Sequence, residues 1–429
     1  MLSQLLAPAL ARRNVHYGWV MVAVTFLIAL VTAGAGAAPG VFILPLQKEF
    51  GWTTAEISTA ISIRLMLFGL MAPFAAALLN RFGLRNVALI SISVVTASLL
   101  LSLTMTKIWQ LILLWGVVVG FGTGMTALVL SATVATRWFS ARRGLVVGLL
   151  TASTATGQLI FLPALASFTE HYGWRVALAG MCGMLALAAL VVSLLMLDRP
   201  SDVGLRAYGD DGSQPLPPPA PPSNAIAAAA FNALRDGART PVFWILFGTF
   251  FICGASTFGL VQTHLIPMCA DYGLPASSGA TLLAAMGVFD FVGTICSGYL
   301  SDRYDNRLLL FWYYGLRGLS LIFLPFTNFN LLGLSLFAVF YGLDWVATVP
   351  PTVKLTAQKF GPERANLIFG WIFCGHQIGS AVAATAAGLS RTFLATYLPA
   401  FFAAGALCLI ASLAALAIDN KRRAQTVPA

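Results

Sequence analysis

Arg64, Asp290, Arg317 and Asp344 are charged residues set inside long apolar stretches of a 429-residue chain, and His264 and His376 lie in similar surroundings. A guanidinium stays charged at accessible pH and grips a carboxylate through two parallel N–H donors, so Arg64 and Arg317 are candidates for binding an anion. A carboxyl in a poorly hydrated place has its pKa raised and can take and release a proton, which makes Asp290 the first candidate for proton coupling and Asp344 the second. The two histidines, flanked by Gln262 and Gln377, are further candidates for lining a substrate cavity, since a near-neutral imidazole can relay protons or simply hydrogen-bond. No GKT or GKS sequence that would cradle a nucleotide phosphate is present, and neither is HExxH or a Ser/His/Asp arrangement. Neither an ATP-driven pump nor an enzyme is expected. The six cysteines lack CxxC or ligand spacing and fall in apolar stretches, so they are read as small buried residues, with no metal and no cofactor implied.

The elements that must hold these groups follow from composition. Hydrophobic residues make up 59% of the chain and charged residues 9%, with a mean hydropathy of +0.84. Soluble domains carry about 25% charged residues, so lipid must solvate much of this surface. Apolar runs long enough to cross a bilayer occur near 18–46, 54–79, 86–106, 109–136, 144–168 and 174–197, then near 242–270, 277–300, 308–326, 330–357, 363–389 and 396–418. They are uniformly apolar where a membrane β-strand would alternate, so the predicted fold is an all-α integral membrane protein of twelve transmembrane helices. The chain divides into a lead-in at 1–17, a six-helix half at 18–197, a linker at 198–240 with the proline run Pro215 to Pro222, a second half at 241–418 and a tail at 419–429. A short surface helix is expected from Asn224 to Arg235.

Basic residues set the orientation. Of 25, nineteen fall in the segments that share a side with the N-terminus, while Lys48, Lys107, Arg175 and Arg391 fall opposite, leaving Arg64 and Arg317 inside helices. The positive-inside rule then puts both termini in the cytoplasm of a cell-membrane protein. The net charge of +10 is spread over loop ends and forms no stripe, so nucleic acid is not an expected partner. Counted from loop ends at about 1.5 Å per residue, the four buried charges and His376 sit near the middle of a core of about 30 Å.

Pro45 and Pro267, Gly51 and Gly273, Arg81 and Arg303, Arg85 and Arg307, Gly120 and Gly342, and Gly157 and Gly379 are each 222 residues apart. One ungapped offset thus aligns the halves as parallel repeats, the arrangement of major facilitator transporters, which bind substrate between the halves near the midplane. The run Gly298-Tyr299-Leu300-Ser301-Asp302-Arg303, closing at Arg307, resembles that superfamily's signature loop between its second and third helices. The first-half copy, Ala76 to Arg85, has Ala76 and Asn80 where glycine and aspartate are usual. The resemblance implies that Asp302, Arg303, Arg81 and Arg85 gate the cytoplasmic mouth. His16-Tyr17-Gly18-Trp19 and the segment from Arg137-Trp138-Phe139 to Pro163 resemble the monocarboxylate-porter and oxalate:formate-antiporter branch. In that branch an aspartate on helix eight, matched by Asp290, serves substrate and proton, with an arginine four residues on where this chain has Thr294 and sometimes a basic residue late in helix one, near Val41 here.

Several readings stay open on sequence alone. Arg317 and Asp344 are either a structural pair locking helices nine and ten, or a pair that loosens during alternating access with Arg317 meeting substrate. Arg64 either binds an anion or pairs with Asp290 across the cavity between helices two and eight. Glycines at Gly34 to Gly40 are expected to weaken helix one, Gly120 to Gly124 to admit a close neighbour, and Pro350-Pro351 to interrupt helix ten, unless they serve packing alone. The function these features point to is secondary active transport of a small organic anion, a mono- or dicarboxylate, coupled to protons, by a monomer in the bilayer. The alternatives are proton-driven efflux of a neutral or cationic molecule and a non-transporting sensor on the same fold.

Overall fold

The computed structural model describes residues 2–126, 128–210 and 223–419, so the Pro215 to Pro222 run and the basic end of the tail lie outside the described residues. Among the described residues twelve helices are long and apolar enough to cross a membrane. They are α1 (Gly18–Phe50), α2 (Thr54–Phe82), α3 (Leu84–Ser102), α4 (Ile108–Trp138), α5 (Arg143–Tyr172) and α6 (Trp174–Leu195) in the first half. The second half holds α7 (Pro241–Asp271), α8 (Ala276–Arg303), α9 (Asn306–Phe323), α10 (Leu331–Phe360), α11 (Pro362–Leu394) and α12 (Leu398–Leu416). Among the described residues no strand forms beyond one isolated bridge, Phe139 to Tyr208. With no water to satisfy backbone groups in hydrocarbon, helices are what this composition allows.

The halves repeat in detail. α1 is capped by, and α7 is followed two residues on by, a glycine in the left-handed region, Gly51 at φ 69° and Gly273 at φ 79°. The acid near each of these ends, Glu49 and Asp271, pairs with an arginine of its own half, Arg175 at 2.5 Å and Arg391 at 2.8 Å. Across the seam α2 packs along α11 and α5 along α8, two contacts related by the same two-fold. Helices two and eight therefore do not face each other, which corrects the expected approach of Arg64 to Asp290.

The twelve ends define two faces, one carrying the linker and termini and one opposite. On the opposite face polar contacts close the seam. The Ala55 N–H donates to Thr392 Oγ1 at 3.1 Å, Ser62 Oγ to the Ala381 carbonyl at 2.8 Å, and the Ser277 N–H to Glu170 Oε1 at 2.8 Å. On the linker face a helix at Ser223–Ala238 lies across the seam instead of out on the membrane. Its Phe231 sits between Phe74 of α2 and Trp371 of α11, with ring centroids 6.2 and 5.8 Å away, and the Trp371 indole N–H donates to the Ala230 carbonyl at 2.8 Å.

Three helices depart from regular α geometry. α4 and α7 contain π-helical stretches, Ile112–Val118 and Ala255–Val261. α10 is broken by turns at 345–348, just before Pro350-Pro351, because a proline disfavours α geometry in the residue before it and removes a donor. α1, by contrast, stays helical from Gly18 to Phe50 through its glycines, Pro39 and Pro45, so the expected weakening does not break it. Five cysteines are buried as expected and Cys296 is exposed, because α8 turns that position away from the bundle.

Candidate functional site

Arg64 stands where the halves meet. α4 reaches it closely: a Cβ on Gly120 would lie 2.9 Å from the Arg64 Cα, so only glycine lets the two backbones approach to that degree. The guanidinium runs toward α1, where a Cβ on Gly36 would lie 3.4 Å from Nη1. Arg64 Nε is buried with no hydrogen-bond partner, and no described acid pairs with this arginine. An unpaired cation in a bilayer is costly and needs a reason.

Two pockets share Arg64. One lies within the first half among Ala38, Phe42, Leu99, Trp115, Val119 and Met181 and is apolar apart from the arginine and the Trp115 indole. The other spans the seam and is lined by α1 and α2 on one side and by Phe258, Gln262 and Thr263 of α7 on the other. Here α1 and α7 touch at positions 40 and 262, where a Cβ on Gly40 would lie 2.9 Å from the Gln262 carbonyl oxygen.

The other buried charges gather at the break in α10. Arg317 is fully buried and Asp344 is 4% exposed. Arg317 Nε donates to Asp344 Oδ2 at 2.7 Å, Nη1 to Cys253 Sγ at 3.0 Å, and Nη2 to the carbonyls of Asp344 and Trp345 at 2.5 and 3.0 Å. Asp290 accepts the Val346 N–H at 2.9 Å and the Thr294 hydroxyl at 3.0 Å. Ser297 Oγ donates to the Ala347 carbonyl at 2.5 Å. Side chains of α8 and α9 thus satisfy backbone groups that the broken helix frees. Asp290 and Arg317 come to one structure, Arg64 to another.

The histidines are packed residues. His264 is fully buried; its Nε2 bonds the Ala384 carbonyl of α11 at 2.9 Å, and its ring lies 5.2 Å from Tyr397. His376 is caged by Phe250, Phe258 and Phe373, with centroids 4.9, 5.4 and 5.7 Å away, so Phe258 separates it from the Arg64 pocket. Neither lines either pocket around Arg64.

At the linker face Asp302 pairs with Lys354 of α10, which also donates to the Ser301 carbonyl at 2.9 Å. The matching first-half residue, Asn80, accepts from Arg137 of α4 at 2.6 Å. Arg303 lies over the Tyr299 ring at 4.2 Å and Arg81 over Phe82 at 5.2 Å. Arg85 donates to the Ser193 carbonyl at 2.6 Å, and its backbone N–H donates to Asp198. Outside the membrane spans, Asp305 accepts from the Arg307 N–H at 3.0 Å and pairs with its guanidinium, which holds the Asp305 carboxyl below the ordinary aspartate range. The two motif segments of the first half meet: Tyr17 lies 5.9 Å from Trp138 and Trp19 5.3 Å from Phe139. Tyr208, from the linker, completes this cluster, and nothing in its local sequence marked it.

Comparison with known proteins agrees with this architecture. The sequence profile described as Major Facilitator Superfamily matches residues 24–384. Monocarboxylate transporter 12-B of Danio rerio is 25% identical over 92% of this chain and 86% of its own length. An uncharacterized MFS-type transporter, YcxA of Bacillus subtilis, is 23% identical over 88% of this chain and 89% of its own. Among solved structures, an inward-facing, occupied bacterial homolog of the human lysosomal transporter Spinster superposes with a TM-score of 0.71 at 14% identity, covering 93% of this chain and 96% of that one. A partially occluded, inward-open form of the xylose transporter XylE from E. coli gives 0.69 at 13% identity, covering 94% and 100%.

Proposed function

The chain belongs to the Major Facilitator Superfamily and is a multi-pass membrane transporter, and from that premise we propose that it moves a small organic anion by alternating access with proton coupling. The observation that carries this is Arg64: a cation at the seam pocket that no described acid neutralises. A carboxylate bound there gains a charge-assisted bidentate contact in a site of low dielectric. No second cation lines that pocket among the described residues, so one carboxylate is favoured over two. Named relatives that transport monocarboxylates support the same class.

Asp290 is the proposed proton site. Its carboxylate projects from α8, the helix that packs along α5 at the seam, and accepts the Val346 N–H at the break in α10, so a proton there weakens the hydrogen bond that braces the break. Arg317 and Asp344 are proposed as the clamp on that break, and Asp302 with Lys354 as the latch at the linker face, with both termini in the cytoplasm of the cell membrane and the monomer as the working unit.

The test is uptake by purified protein in proteoliposomes, with labelled carboxylates and an imposed pH gradient. Wild type is expected to accumulate a monocarboxylate, and Arg64→Ala to lose at least about 2.7 kcal/mol of binding, roughly a hundred-fold, on removing a charged hydrogen-bonding group. Full anion uptake by Arg64→Ala overturns the anion reading in favour of a neutral or cationic cargo. Absence of accumulation of any solute by the purified protein favours a sensor. Asp290→Asn is expected to keep exchange of anion for anion and to lose accumulation driven by pH; unchanged pH coupling removes the proton role.

A further inference from the structure

The seam pocket holds a second group that the anion reading leaves without a task. Its wall from α1 is Gly36, Ala37, Pro39 and Gly40, which bring no side-chain donor or acceptor. Ile61, Leu65 and Phe258 are apolar, and the Thr263 hydroxyl is committed to the Phe258 carbonyl at 2.7 Å. By elimination the uncommitted polar side chains lining this pocket are Arg64 and Gln262. Gln262 Oε1 is buried and has no hydrogen-bond partner, and a buried amide oxygen left unpaired is unfavourable unless something meets it.

Its placement is specific. Gln262 follows directly on the π-helical stretch Ala255–Val261, and its own N–H reaches back to the Thr257 carbonyl, five residues earlier. The wider turn re-aims every side chain after it, and such bulges recur at functional sites. Position 262 is also the repeat partner of position 40 at the offset of 222, and these two positions touch. The two-fold between the halves therefore passes beside Gln262, at the centre of the molecule.

We infer that Gln262 is a specificity-determining residue whose side-chain amide reads a second polar group on the cargo, so that the preferred anion is a small carboxylate bearing a hydroxyl, oxo or amide group beside its carboxylate. This rests on Arg64 as the carboxylate anchor. An alkyl carboxylate of equal size would leave the amide unpaired, and sites built to hydrogen-bond a substrate discriminate strongly against analogues that lack the group.

The experiment measures the ratio of glycolate to propionate uptake by the full chain in proteoliposomes. The two anions have the same number of heavy atoms and differ by a hydroxyl in place of a methyl. Wild type is expected to prefer glycolate by about ten-fold or more. Gln262→Met, similar in length and unbranched, is expected to bring the ratio to within about two-fold, and Gln262→Asn, which keeps the amide but withdraws it, to leave an intermediate ratio. Because the readout is a ratio within one preparation, a lower yield of folded variant does not alter it. Arg64→Ala is expected to depress both anions together, so its failure to do so counts against the anchor and not against Gln262. An undiminished preference in Gln262→Met, or equal uptake or no uptake of the two anions by wild type, overturns the assignment.

Discussion

Arg317 and Arg64 are both buried guanidiniums, and their surroundings give opposite expectations. Arg317 has a carboxylate, a thiol and two carbonyls as partners. Arg317→Ala strands Asp344 and is expected to destabilise by about 3–5 kcal/mol, as removal of one partner from a buried pair does. The measurement is thermal unfolding of the detergent-solubilised protein, and an unchanged midpoint would exclude a clamping role. Arg64→Ala breaks no ion pair and is expected to leave that midpoint in place while uptake falls. Asp305 offers a pH counterpart outside the membrane. Its carboxyl is held below the ordinary range by Arg307 and caps the start of α9. A group with a lowered folded pKa contributes stability that is present above its unfolded pKa and lost as pH falls through the folded value. Asp305→Ala is therefore expected to cost about 0.5–2 kcal/mol near neutral pH, with the difference from wild type vanishing in acid. A difference that persists unchanged once the folded-state carboxyl has itself been protonated would contradict this.

The helices were legible because bilayer thickness fixes their length and lipid fixes their composition, and the 222-residue offset exposed the repeat. The break in α10 was legible too, since Pro350-Pro351 can be read directly. The π-helical stretches in α4 and α7 were not, because no residue type demands them. Gly120 shows the intermediate case: its sequence run signalled close approach, but that it meets Arg64 is a matter of three dimensions. Gly120→Val is expected to push α4 from α2, displace the guanidinium and reduce uptake more than protein yield. Equal yield with unchanged uptake would show that α2 tolerates the shift.

At the scale of the whole molecule the seam is polar and closed on the face away from the linker, and is bridged by the linker helix on the other. Sequence could place neither, because both join residues more than a hundred positions apart, and the pairing of α2 with α11 brings Arg64 to the seam. The closed face can be wedged. A Cβ on Gly388 would lie 2.5 Å from Ser58 Oγ, so Gly388→Val is expected to part α2 from α11 there. In a Cys296→Ser background, a cysteine placed at Ile61, which lines the seam pocket, is then expected to react faster with an impermeant maleimide added from that face. An unchanged labelling rate would mean that the seam absorbs the added methyl groups.

Gly40 and Gln262 are one position of the repeat occurring twice and pressed against itself. A Cβ at position 40 would press on the Gln262 backbone, so the first-half copy is a hydrogen and the second-half copy carries the amide. The pocket is in this sense handed: the first half brings the charge, the second half the amide, and a bound anion has one way round. Gly40→Gln is expected to force α1 from α7 whatever side chain stands at 262, because the atom its Cβ would meet is the backbone carbonyl oxygen of that position.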